Sequence, residues 1–131
     1  MDASLLSRPL VLVVDDDARS ASLLARLLRA DGYEAEVTND GATALARLTR
    51  NPIPHAVVTD FHLPHADGLA VGRYARSRRP AVALFVVTGY PNSFANAVDP
   101  LDHPFQVLTK PLDYADLLKR LGAALGSVKT P

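Results

Sequence analysis

Four short apolar runs constrain this chain more than any other feature, because none alternates polar with apolar and each stops at a residue able to do chemistry. Residues 10–14 run into Asp15, Asp16 and Asp17; residues 56–58 into Thr59 and Asp60; residues 82–87 into Thr88 and Gly89; Gln106–Thr109 into Lys110 and Pro111. Strands buried on both faces read this way, since neither face needs a polar set. Residues 33–37 form a weaker strand candidate for an edge. Between the runs lie stripes at helical spacing: Ala21, Leu24, Leu27 and Leu28; Gly41, Ala44, Leu45 and Leu48; Tyr114, Leu117, Leu118, Leu121 and Leu125. Residues 69–77 supply another helix, stopped before Pro80, and Asn39 or Asp40, Asp67 and Asp113 are suited to start helices. Residues 92–98 show little periodicity and are crowded by Pro91, Pro100 and Pro104, which predicts a short, frayed helix.

The order is strand then helix, five times, which calls for an α/β fold: a five-stranded parallel sheet, doubly wound, with right-handed crossovers and helices on both faces, in three layers. At 131 residues, 48% of them hydrophobic, the chain can bury one core and is short for two. Residues 9–125 are expected to form that domain, with 1–8 and 126–131 as flexible ends. Fourteen basic residues balance fourteen acidic ones, so nothing favours a surface for nucleic acid or for a membrane. The absence of cysteine excludes a disulfide framework and thiolate chemistry, and fits a reducing compartment. No run approaches the roughly 20 apolar residues of a membrane span, and the first residues lack the pattern of a signal peptide. A soluble, cytoplasmic protein is expected.

In a doubly wound sheet the functional crevice lies at the carboxyl ends of the strands. That rule gathers Asp15, Asp16, Asp60, Thr88 and Lys110 into one site. Crowded carboxylates repel and raise one another's pKa unless a cation joins them. A hard, oxygen-ligated ion such as magnesium meets the need and takes further ligands from water and phosphate. Lysine and a hydroxyl beside it offer a charge and a donor to phosphate oxygens.

These residues also resemble a known family, the response regulator receiver domain of two-component signalling, over roughly residues 9–125. The stretches that carry the resemblance are Val13-Val14-Asp15-Asp16, Asp60-Phe61-His62-Leu63-Pro64-His65-Ala66-Asp67-Gly68, Val87-Thr88-Gly89 and Thr109-Lys110-Pro111. The likeness implies a flavodoxin-like sheet of order 2-1-3-4-5. It implies that Asp60 is the phosphoacceptor and that magnesium, with manganese able to replace it, is held by Asp15, Asp16, Asp60 and the backbone carbonyl of His62. Thr88 would hydrogen-bond a phosphoryl oxygen and move toward it, and Lys110 would pair with Asp60 and then with the phosphoryl group. The Lys110–Pro111 bond is expected to be cis, aiming the ammonium into the crevice. The phosphodonor would be a histidine kinase, a histidine phosphotransfer protein or a small molecule, and the output a downstream protein. Apart from self-catalysed transfer and hydrolysis, no enzyme activity is expected.

Other residues read differently. Asp17 is expected to cap the first helix, and Pro64, Asp67 and Gly68 to shape the turn after Asp60. His62 and His65 stand three apart and invite a transition-metal reading, against the plainer one in which both side chains face solvent. In the family, the position of His62 tunes how fast water removes the phosphoryl group. His55 and His103 carry no signal. Val107 stands where the family often has the tyrosine or phenylalanine of its switch; Phe105 lies two residues earlier, next to Pro104. That departure is familiar from stand-alone receivers and from those attached to hybrid kinases.

Two other functions compete. One is a receiver-like protein-binding module with idle chemistry, which Val107 favours and the intact site residues oppose. The other is a haloacid-dehalogenase-like phosphatase, since Asp15-Asp16-Asp17 also reads as two aspartates one residue apart after an apolar strand. That family expects threonine or valine where this chain has Arg19, and a longer chain.

Overall fold

Five consecutive buried residues, Leu10–Val14, make strand β1, and its side chains divide by parity. Val11 and Val13 enter one core; Leu12 and Val14 enter the other. A strand with its neighbours on both sides and helices above and below has no polar face, as the unalternating runs require. The computed structural model describes residues 8–90 and 105–126. After β1 come α1 (Ala18–Ala30), β2 (Glu34–Thr38), α2 (Gly41–Leu48), β3 (Ala56–Asp60), α3 (Gly68–Arg78), β4 (Ala83–Thr88), β5 (Gln106–Thr109) and α4 (Tyr114–Leu125). The strands form one parallel sheet ordered β2-β1-β3-β4-β5. Among the described residues no helix is long and apolar enough to cross a membrane.

On one face, α1 and α4 bury Ala21, Ala25, Leu28, Leu117 and Leu121 against Val11, Val13, Val58 and Phe85. On the other, α2 and α3 bury Ala44, Leu48, Val71 and Ala75 against Leu12, Val57 and Leu84. Each large aliphatic side chain fully withdrawn from water contributes about 1.5–3 kcal/mol, so the two layers drive folding. The acids expected to start helices do so. Asp17, Asp40, Asp67 and Asp113 are extended N-cap residues whose carboxylates accept from the backbone of Ser20, Thr43, Ala70 and Asp116 respectively. Each such cap is worth roughly 1 kcal/mol.

The second strand is displaced by one residue from the sequence expectation. Tyr33 does not join the ladder but lies just before it, 1% exposed in the α1 core, so its β-forming character reflects burial. The expected helix at 92–98, His103, and all of the expected flexible ends except Arg8 and Gly126 lie outside the described residues.

Candidate functional site

Register brings the site together. Asp60 is opposite Val87 across β3 and β4, and Thr88 is opposite Thr109 across β4 and β5. The ladder continues past the strand ends: Phe61 N–H donates to Val87 O at 3.0 Å, and Lys110 N–H to Thr88 O at 3.0 Å. Asp60, Thr88 and Lys110 therefore sit at the carboxyl ends of three adjacent strands. On the other side, β1 hands Asp15 to the same end: its N–H donates to Thr38 O at 3.1 Å, and Asn39 Nδ2 donates to Asp15 O at 2.8 Å. Asn39, weighed in the sequence only as a helix start, thus ties the acidic loop to the end of β2.

Carboxylate oxygens of Asp15, Asp16 and Asp60 lie within 4.8 Å of one another. Asp16 is exposed, Asp15 half-buried and Asp60 only 5% exposed. Lys110 Nζ stands 3.2 Å from Asp60 Oδ2 as an ion pair, without the angles of a hydrogen bond, so that buried oxygen has no hydrogen-bond partner. Burial, followed by hydrogen bonding and like charge from Asp15, pushes the Asp60 carboxyl up to about 7, against the opposing pull of Lys110. Asp17 does not share this state: it is exposed, and bonds from the hydroxyl and N–H of Ser20 hold its carboxyl below the usual range.

Thr88 is 1% exposed, and its Oγ1 accepts from Tyr90 N–H at 3.0 Å. The Lys110–Pro111 bond is cis, as expected; Asn51–Pro52 is also cis, which the sequence did not suggest. His62 and His65 are exposed, and neither joins a group of three or more metal-ligating side chains among the described residues. The His62 ring instead meets Phe61 edge-on at 4.7 Å and Tyr90 at 6.4 Å. Val107 is 37% exposed on β5.

Two glycines hold the loop after Asp60 in place. A Cβ on Gly68 would stand 2.3 Å from Asp60 O, and one on Gly41 2.1 Å from Ala66 O. Gly41 N–H donates to Pro64 O at 3.0 Å and Gly68 N–H to Phe61 O at 2.8 Å, so α2 and α3 both clamp the loop through their first residues. In the sequence Gly41 is only part of an apolar stripe; the pairing is remote in sequence and leaves no local signal.

The residues fit a hard divalent cation. Three carboxylates converge, one of them presents a buried oxygen that no hydrogen bond satisfies, and oxygen donors of this kind suit magnesium or manganese in preference to softer metals.

Known proteins resemble this chain in sequence and fold. The family described as the response regulator receiver domain matches residues 11–122. The response regulator MprA of Mycobacterium leprae (strain TN) is 37% identical over 120 residues, covering 91% of this chain and 52% of its own length. The transcriptional regulatory protein ZraR of Escherichia coli (strain K12) is 34% identical over 116 residues, covering 88% of this chain and 26% of its own length. The chain thus spans from about a quarter to just over half of these curated relatives. Among solved structures, a response regulator receiver protein from Sinorhizobium medicae WSM419 superposes with a TM-score of 0.82 at 24% identity, covering 95% of this chain and 99% of that one, a likeness of fold.

Proposed function

The chain belongs to the response regulator receiver family of two-component signalling, and on that premise we propose that it is a phosphorelay module whose phosphoacceptor is Asp60. Receiver domains are signalling modules that bind magnesium at an acidic cluster. The observation that carries the reading is the buried Asp60 carboxylate, set between two further aspartates and an ammonium 3.2 Å away. A carboxylate so placed is useless as a surface charge and well suited to attack a phosphorus atom beside a cation.

In the proposed step, an Asp60 oxygen attacks the phosphorus of a phosphohistidine on a histidine kinase or phosphotransfer protein, or of a small acyl phosphate. The new O–P bond forms as the bond to imidazole nitrogen or acyl oxygen breaks, and the leaving group departs with that electron pair. Lys110 exchanges its ion pair with Asp60 for one with the phosphoryl oxygens, which keeps charge balanced as the group arrives. Asp15, Asp16, Asp60 and the His62 carbonyl would hold magnesium, which would supply Lewis-acid charge to the phosphoryl group when bound. The Thr88 hydroxyl donates to a phosphoryl oxygen. Its turn toward that oxygen weakens the bond it accepts from Tyr90, which begins a population shift at the adjoining surface. The module acts in the cytoplasm through a partner protein, without touching nucleic acid or membrane itself.

The experiment is intact-mass measurement after incubation with acetyl phosphate and magnesium. The wild-type chain gains one phosphoryl group and Asp60→Asn gains none. An undiminished adduct on the variant would refute the assignment, as would a wild-type chain that stays unlabelled.

A further inference from the structure

The acidic loop after β1 is fastened from β2, and the fastening falls on the peptide that aims two of the three clustered aspartates. Asp15 is tied through both of its backbone groups. Its N–H donates to Thr38 O at 3.1 Å, which prolongs the β1–β2 ladder; its carbonyl accepts from Asn39 Nδ2 at 2.8 Å, which no strand pairing supplies. The Asp15 side chain has a restraint of its own, since Oδ1 accepts from Asp17 N–H at 2.9 Å and Asp17 in turn caps α1. Asp16 has none. Its carboxylate is exposed, and among the described residues no side-chain hydrogen bond or ion pair holds it within 4.8 Å of the oxygens of Asp15 and Asp60.

Like charges this close repel one another, so Asp16 keeps its place in the cluster only if its backbone is set. That backbone follows from the Asp15–Asp16 peptide, a rigid plane whose carbonyl oxygen is the atom Asn39 grips. Without the grip the plane can rotate about the bonds on either side, and the Asp16 carboxylate swings with it. The bond is exposed, so its net contribution to stability is small; its effect is on geometry. Magnesium demands a near-octahedral set of oxygens at roughly 2.1 Å, whereas calcium accepts irregular contacts at about 2.3–2.6 Å. A cluster held in one arrangement favours the first ion, and a loosened cluster favours the second.

We infer that Asn39 is a positioning residue that sets the selectivity of the acidic cluster for magnesium relative to calcium. The inference rests on the reading of that cluster as a cation site. The amide nitrogen is the group at work, because the partner is a carbonyl; aspartate at this position would have the same shape but only acceptors.

The test is titration of the isotope-labelled full chain with magnesium chloride and, separately, calcium chloride, followed by amide chemical shifts. Asn39→Ala should weaken magnesium about tenfold and calcium less than about threefold, so that the calcium dissociation constant divided by that for magnesium falls. Asn39→Asp adds a negative charge that draws both dications alike and cancels in this ratio, which should fall as it does for alanine. A ratio that keeps its wild-type value in either variant, whether both ions weaken together or neither does, would overturn the inference and leave the phosphoacceptor reading in place. A wild-type chain that binds neither ion would overturn both. Should the ratio fall as expected while acetyl phosphate fails to label the wild type, only the phosphoacceptor reading is lost.

Discussion

Replacing Asp60 by asparagine in metal-free solution should stabilise the fold, by an amount that depends on pH. Burial and the Asp15 charge raise the Asp60 carboxyl from 3.8 to about 7 in the folded chain. Between those values the folded state holds a proton that the unfolded state has released. Stability contributed by the protonated group is therefore complete below pH 4 and lost as pH rises through 7. Three pH units correspond to a ceiling of about 4 kcal/mol. Asparagine keeps the shape and removes the charge, but it also forfeits the attraction of Lys110, so a net gain of about 2 kcal/mol is expected at pH 8. For a chain of this size that is a rise in Tm of roughly 6–10 °C. Urea unfolding of both proteins in a chelating buffer, from pH 4 to pH 8.5, measures the difference directly. The curves should meet at the acid end and diverge toward neutrality. Saturating magnesium should erase the difference by stabilising the wild type alone. A variant no more stable than wild type at pH 8, or a gain that ignores pH, would show that Asp60 is not a confined, destabilising charge.

Lys110→Gln should slow labelling of Asp60 by acetyl phosphate about 10- to 100-fold, measured by intact mass against time, because the ammonium no longer helps the metal balance charge on the arriving phosphoryl oxygens. Gly68→Ala should cost about 2–3 kcal/mol in urea unfolding, since its Cβ would meet Asp60 O at 2.3 Å. Gly122→Ala, inside α4 with nothing within 4 Å, should instead gain about 0.5–1 kcal/mol. His55 accepts Leu10 N–H on Nδ1 at 3.0 Å, and burial followed by the Arg79 charge holds its pKa down. Its contribution should be complete above pH 6.5 and fade as pH falls below that value, so His55→Ala should cost about 1 kcal/mol at pH 7.5 and less at pH 5.5.

Much of this was legible because the signals are local. An apolar run that ends in aspartate marks both a buried strand and the carboxylates gathered at its end, and an aspartate before a helical stripe marks a cap; Asp15, Asp16, Asp60, Asp17, Asp67 and Asp113 all follow that logic. What escaped depends on partners distant in sequence. His55 had no meaning until Leu10, 45 residues away, lay beside it, where its backbone and ring together bind the first residue of β1. Arg47 stands in the α2 pattern like any surface charge, yet it is 4% exposed and spends its donors on Glu36 and the carbonyls of Arg50 and Pro52, fastening the turn into β3. A buried arginine is tolerable only with such partners, and no spacing rule announces them. Gly41 and Asn39 belong to the same class: each acts on a loop made by another part of the chain.

The claim at the centre is that four separated stretches build one acidic cradle in which the Asp60 carboxylate accepts a phosphoryl group. Borohydride reduction after acetyl phosphate and magnesium converts a phosphorylated aspartate, an acyl phosphate, to homoserine, and peptide sequencing by mass spectrometry then locates it. The account predicts homoserine at position 60, absent when magnesium is withheld. Homoserine at position 15 or 16 with an unaltered Asp60, or none anywhere in fully folded protein, would contradict it.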